Sequence, residues 1–102
     1  MSKKYELVMD QFIEVGTRKL YRIKALRDFS DVKIGDIGGY VEKEDNLSHE
    51  GNCWVYGDAR VYGNAKVYGN AWVSGNAQVY EDAQVYGNAE VYGNARVYGD
   101  AN

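Results

Sequence analysis

Val recurs every six residues from Val55 to Val97, and Ala keeps the same step from Ala59 to Ala101. A step this short excludes helical repeats, which need a longer unit to build a pair of helices. Read as Ala-x-Val-Tyr, four residues of each unit form a strand. Ala and Val then share one face while x and Tyr share the other. The remaining two, Gly-Asn or Gly-Asp, tolerate positive φ and turn the chain. Six is even, so the alternation never slips phase: each Ala and Val points inward and each x and Tyr outward. One corner departs, carrying Glu81-Asp82.

The pattern resembles the hexapeptide repeat of left-handed parallel β-helices, in which an aliphatic residue and a small one four positions later recur. That resemblance implies a left-handed coil of three hexads, or roughly 18 residues. The two tryptophans, Trp54 and Trp72, stand 18 apart and are expected to stack on adjacent coils. Tyr departs from the family, where a small or acidic residue usually fills its slot. Continued upstream, the register puts Ile37 in a Val slot and Val41, Leu47 and Cys53 in Ala slots. Lys43 and His49 fall in Val slots and break the rule. The expected fold is therefore all-β: a single-stranded left-handed parallel β-helix over residues 37–102, its first coil degenerate.

Residues 1–36 lack the repeat. "QFIEV", "GTRK" and "LYRIKAL" read as a β-hairpin, with Tyr21, Ile23 and Ala25 on one face. A solenoid needs its terminal coil covered, so this segment is assigned as an N-terminal cap, with "DFSDVKIGDIGGYVE" as the join. Gly35, Gly38 and Gly39 read as tight turns rather than a phosphate loop, since no Gly-Lys-Ser/Thr follows. The string from Leu20 to Ala65 resembles phage and prophage proteins that couple this leader to hexapeptide-type repeats. Some bacterial relatives carry an acetyltransferase label.

The chain has 102 residues, enough for one domain with a modest core. Its net charge of −3 argues against a nucleic-acid partner, because phosphate neutralisation needs a basic surface. One cysteine, Cys53, excludes an internal disulfide or a multi-cysteine metal site and suits a reducing cytoplasm. No apolar run suggests a signal peptide or membrane span. A cytoplasmic location is expected, in the host bacterium if the gene is of phage origin.

Hexapeptide acyltransferases work as trimers through a catalytic His near a subunit groove. His49 is the one candidate here, read as an irregular residue at the cap junction rather than a base. Cys53 reads as a buried, inert thiol. Asp58, Asp82 and Asp100 read as corner residues, and neither a metal nor a cofactor is expected.

The outward faces carry more information. One holds Trp54, Tyr56, Trp72, Ser74, Glu90 and Tyr92. The second holds Arg60, Tyr62, Gln78, Tyr80, Arg96 and Tyr98. The third holds Lys66, Tyr68, Gln84, Tyr86 and Asn102. Aromatic patches rich in Tyr, Trp and Arg mark interfaces, so Trp54, Tyr56, Trp72 and Tyr92, with Arg60, Tyr62, Tyr80, Arg96 and Tyr98, are the expected binding residues. Val91, Val97 and Ala101 would form a self-associating edge, a two-fold dimer being the simplest closure. The expected function is a non-enzymatic, self-associating binding protein with a host protein as partner, in its specific form an inhibitor of a bacterial defence system. A trimeric acyl-CoA-dependent acetyltransferase and a virion spacer are the alternatives.

Overall fold

The computed structural model describes residues 3–99. Two long strands open the chain, β1 (Tyr5–Val15) and β2 (Arg18–Ala25), followed by β3 (Ile37–Val41) and a 3-10 turn at Glu44–Asn46. Eight two-residue strands then mark successive sides of the coil: β4 (Trp54–Val55), β5 (Arg60–Val61), β6 (Lys66–Val67), β7 (Trp72–Val73), β8 (Gln78–Val79), β9 (Gln84–Val85), β10 (Glu90–Val91) and β11 (Arg96–Val97). They stack in parallel as three sheets, one per side: β4-β7-β10, β6-β9, and β5-β8-β11. The last continues through β3 and β2 to β1, giving six strands.

Trp54 pairs with Trp72 and Trp72 with Glu90, so these coils repeat every 18 residues. Inward positions are sealed. Val55, Val61, Val67, Val73, Val79 and Val85 are at most 4% exposed, as are Ala59, Ala65, Ala71, Ala77 and Ala83. Around the coil, backbone N–H groups donate to carbonyls of the next coil, as Tyr62 N does to Val79 O at 3.0 Å. Val91 and Val97 are only half-buried, since among the described residues their coil has a neighbour on one side alone. Ala101 lies outside the described residues.

The first coil is longer than the others. Tyr40 pairs with Arg60 and Leu47 with Val67, an offset of 20 residues. Asn52 N, however, reaches Asn70 Oδ1, an offset of 18. Ser48 N bonds Val67 O just as Tyr68 N bonds Val85 O, so the two extra residues are His49 and Glu50, inserted at a corner. This corrects the register expected upstream. Val41 and Leu47 occupy Val slots, not Ala slots, and are fully buried. Ile37 begins β3, paired with Lys24 and two positions ahead of the Ala-equivalent Gly39, and is 46% exposed. Lys43 and His49 occupy no inward slot. Uniform extrapolation of the period failed because a two-residue insertion shifts everything before it.

The join also differs from expectation. Gly35 turns with φ of 93°, but Gly38 and Gly39 lie inside β3. They are glycines because the solenoid backbone passes against them: a Cβ on Gly38 would sit 2.5 Å from Val55 O, and one on Gly39 2.6 Å from Ala59 O. β3 is the seam, antiparallel to β2 and parallel to β5. Asn46, fully buried, locks this coil to the next. Its Oδ1 accepts from Glu42 N and Lys43 N, while its Nδ2 donates to Gly63 O and Ala65 O, all within 3.2 Å.

Corners elsewhere use glycine at positive φ. At Gly75 (φ 66°) a Cβ would meet Gly93 N at 3.1 Å. Glu81 holds the same left-handed conformation, φ 60°, with a side chain attached. Such a residue costs about 1–2 kcal/mol, against a smaller entropic penalty for glycine. Glu81→Gly is therefore expected to raise stability by about 1 kcal/mol, read as a shift in urea midpoint; an unchanged or lower midpoint would mean that the Glu81 side chain compensates its own strain.

Candidate functional site

Two regions bring together the residues singled out from sequence: the seam between cap and first coil, and the outward faces.

At the seam, the His49–Glu50 insertion meets the start of the cap. Lys4 N donates to His49 Nδ1 at 3.1 Å, and His49 Nε2 lies 3.0 Å from Glu44 Oε1. The other carboxylate oxygen takes Lys3 Nζ at 3.1 Å. The His49 ring stacks on Tyr5, centroids 4.2 Å apart, and its carbonyl accepts from Arg27 at 3.0 Å. A backbone N–H can only donate, so Nδ1 is the acceptor and Nε2 carries the proton toward Glu44. Both ring nitrogens are engaged, and a general base needs one free lone pair facing substrate. An open hollow of about 370 Å³ does border His49, lined also by Glu44, Ser48, Lys66 and Tyr68. It exists because the 3-10 turn replaces a strand on this side of the first coil. Its charges are mixed, with no single sign to select a ligand.

Behind His49 lies a fully buried cation. Lys4 Nζ donates to Cys53 O at 2.6 Å, approaches Gly51 O and Cys53 Sγ at 3.4 Å, and lies 4.8 Å from the centre of the Phe29 ring. Burial lowers the Lys4 pKa, which Cys53 partly offsets. Cys53 is itself sealed, 0% exposed, as its Ala-equivalent slot requires. Tyr5 Oη lies 2.6 Å from Leu47 O and 2.9 Å from Glu44 O. Burial, then the Glu44 charge, raises its pKa. The Glu44 carboxyl is held below its usual value by hydrogen bonds from His49 and then Lys3.

These shifts fix how stability responds to pH. The unfolded chain keeps the Lys4 proton up to about pH 10.5, whereas the folded chain releases it earlier. Unfolding therefore binds protons in that window, and stability rises with pH. The tyrosines act oppositely. Tyr5, Tyr56 and Tyr62 are all raised above 10.0, chiefly by burial, so stability falls once the unfolded tyrosines ionise. Glu44 loses its contribution as pH drops through its lowered value. The urea midpoint is expected to climb as pH approaches about 10 and to fall beyond it. Lys4→Met should flatten the climb without removing the fall; a climb that persists in Lys4→Met would show that Lys4 is not its source.

Among the outward residues, the main correction is Trp54. It is 2% exposed and packs edge-on against Tyr5 and Phe29, with ring centroids at 6.1 and 5.2 Å. Its backbone is in register with Trp72 as expected, but the cap folds over this side of the first coil and takes the indole into the core. It cannot form a binding surface. Tyr56 is half-buried, its hydroxyl donating to Asp31 at 2.9 Å and its ring edge-on to Trp72 at 6.0 Å. Trp72 is 37% and Tyr92 68% exposed. Ser74 separates Tyr56 from Tyr92 in their column.

On the second face Tyr62, Tyr80 and Tyr98 stack nearly parallel, centroids 5.2 and 5.3 Å apart. Arg60, Gln78 and Arg96 form the adjoining column. Tyr68 and Tyr86 stack likewise on the third face at 5.2 Å.

A family model described as the YdcK beta solenoid repeat matches residues 65–81 and 91–101. These segments carry the six-residue Val and Ala spacing. The chain is a hexapeptide-repeat β-solenoid. It is also 43% identical over 61 residues to a protein of Escherichia coli (strain K12) named uncharacterized acetyltransferase YdcK. That match takes in 53% of this chain and 19% of the relative, so the chain corresponds to a minor part of its length. Among the described residues, no helix is long and apolar enough to cross a membrane, and no three metal-ligating side chains converge.

Proposed function

We propose that this β-solenoid is a non-enzymatic binding module that associates with itself and presents its aromatic columns to a protein partner. The observation that carries this reading is the order of the exposed aromatics. Tyr62, Tyr80 and Tyr98 are already stacked, and Trp72 is braced by Tyr56, so little side-chain freedom is lost on contact. The engagement of both His49 nitrogens supports the same reading. In the phage setting that the leader resembles, the partner is a host protein, and inhibition of a bacterial defence system is the specific form proposed.

The test pairs Trp72→Ala with Tyr92→Ala. Both side chains are substantially exposed, so folding should persist by circular dichroism. Mass by sedimentation and capture of a host partner should both decline. Unchanged mass and capture would reduce the aromatic columns to a stiffening ladder.

A second reading, acyl-CoA-dependent acetyl transfer, draws on the name of the Escherichia coli relative and on the hollow beside His49. Calorimetry with acetyl-CoA separates the two. Saturable heat would favour transfer, and its absence at millimolar ligand favours the binding module.

A further inference from the structure

Outward residues of the six-stranded sheet form two rows parallel to the solenoid axis. One runs Arg22, Tyr40, Arg60, Gln78, Arg96; the other contains Tyr62, Tyr80 and Tyr98. The cap neutralises its own part of this surface. Arg22 pairs with Asp58 at 2.9 Å and Arg18 with Glu42 at 2.8 Å. Arg60 and Arg96 have no ion-pair partner among the described residues, and strands β5, β8 and β11 contribute no carboxylate to this face. On a chain of net charge −3, this is a local cationic strip beside a rigid aromatic one.

We propose, building on the binding-module reading, that this face receives an acidic amphipathic α-helix of the partner, laid along the solenoid axis. Spacing selects the helix. Arg60 and Arg96 are two coils apart, so their backbones stand roughly 10 Å apart. Seven residues of α-helix rise about 10.5 Å and return to nearly the same side. Carboxylates at i and i+7 therefore reach both guanidiniums while apolar residues on one flank, at i+1, i+4 and i+8, lie on the tyrosine column. Same-face residues of an extended strand fall at about 7 or 14 Å and miss this interval. A second copy does not fit: no α-helix occurs among the described residues, and apposing this face with itself opposes arginines. Nucleic acid would need more cationic contacts than two arginines supply.

The probe is a synthetic helical peptide with Glu at i and i+7 and Leu at i+1, i+4 and i+8, compared with a twin carrying Lys at both charged positions. The full chain should bind the Glu peptide at least tenfold more tightly than the twin, and less tightly as salt is raised. Arg60→Glu with Arg96→Glu should reverse that preference, while Lys33→Glu, on the exposed join, should leave it intact. Arg60→Gln with Arg96→Gln, with the urea midpoint as a folding check, should weaken Glu-peptide binding without creating preference for the twin. Equal binding of the two peptides, or no binding of the Glu peptide, overturns the proposal. So does a change in the chain's own mass on charge reversal, which would identify a second copy as the occupant. If peptide binding fails while Trp72 and Tyr92 still support partner capture, the acidic-helix assignment alone falls; failure of capture as well takes the binding-module reading with it.

Discussion

Trp54→Ala is expected to lower stability by about 4 kcal/mol, within the usual range for removing a buried tryptophan. Two aromatic rings from the cap contact Trp54, and a Cβ on Gly38 would lie only 2.9 Å from its Cε2. Truncation therefore opens a cavity lined by both cap and solenoid. The loss should fall mainly on cap docking, because the ring contacts of this indole are with Tyr5 and Phe29. Trp72→Ala, at the same repeat position one coil on, removes an edge-on contact with Tyr56 and should cost about 1 kcal/mol. Urea denaturation of the two variants measures the contrast. Equal, small losses would mean that the cap does not hold Trp54 in the core.

Gly39→Ala should cost about 3 kcal/mol, at the upper end of overpacking. The added methyl would stand 2.6 Å from both Ala59 O and Val55 Cγ1. Neither the backbone carbonyl nor the packed valine can retreat freely, so β3 must withdraw. Withdrawal stretches the bond from Tyr40 N to Ala59 O, now 2.9 Å. Gly38→Ala meets the same obstacle at Val55 O. Gly35→Ala provides the control: its Cβ would enter open space, and only the positive φ opposes it, so about 1 kcal/mol is expected. If Gly35→Ala and Gly39→Ala lose the same stability by thermal or urea denaturation, close backbone approach is not what Gly39 provides.

Much of the solenoid was legible because its rule is local. A six-residue step with Val and Ala in fixed places settles which atoms can be buried, whatever the rest of the chain does. The stacked tyrosines follow from the same rule. The candidate site was legible only in part. His49 stood out as the single histidine, but its sequence position does not show that a cap N–H and Glu44 occupy its two nitrogens. Lys4 gave no signal at all: a lysine near the start of a chain reads as solvated until a carbonyl pair and a thiol are found around it. Trp54 was misread because the repeat treats every coil alike, whereas the cap covers only one. Its position in the first coil, next to a leader that must dock somewhere, was the available hint.

The resemblance to hexapeptide repeats implied the parallel 18-residue coil, which the Trp54–Trp72 spacing matches; the sequence by itself determined the inward Val and Ala columns and the outward tyrosines. These depend on alternation and turning propensity within six residues. Tertiary structure alone decided the 20-residue first coil, the strand glycines at the seam, the buried Lys4 and the separation of Trp54 from Trp72. Each arises where a non-repeating cap is fitted against a repeating column, and the fit between two surfaces is a property of their shapes in contact. It cannot be read from the period of either segment.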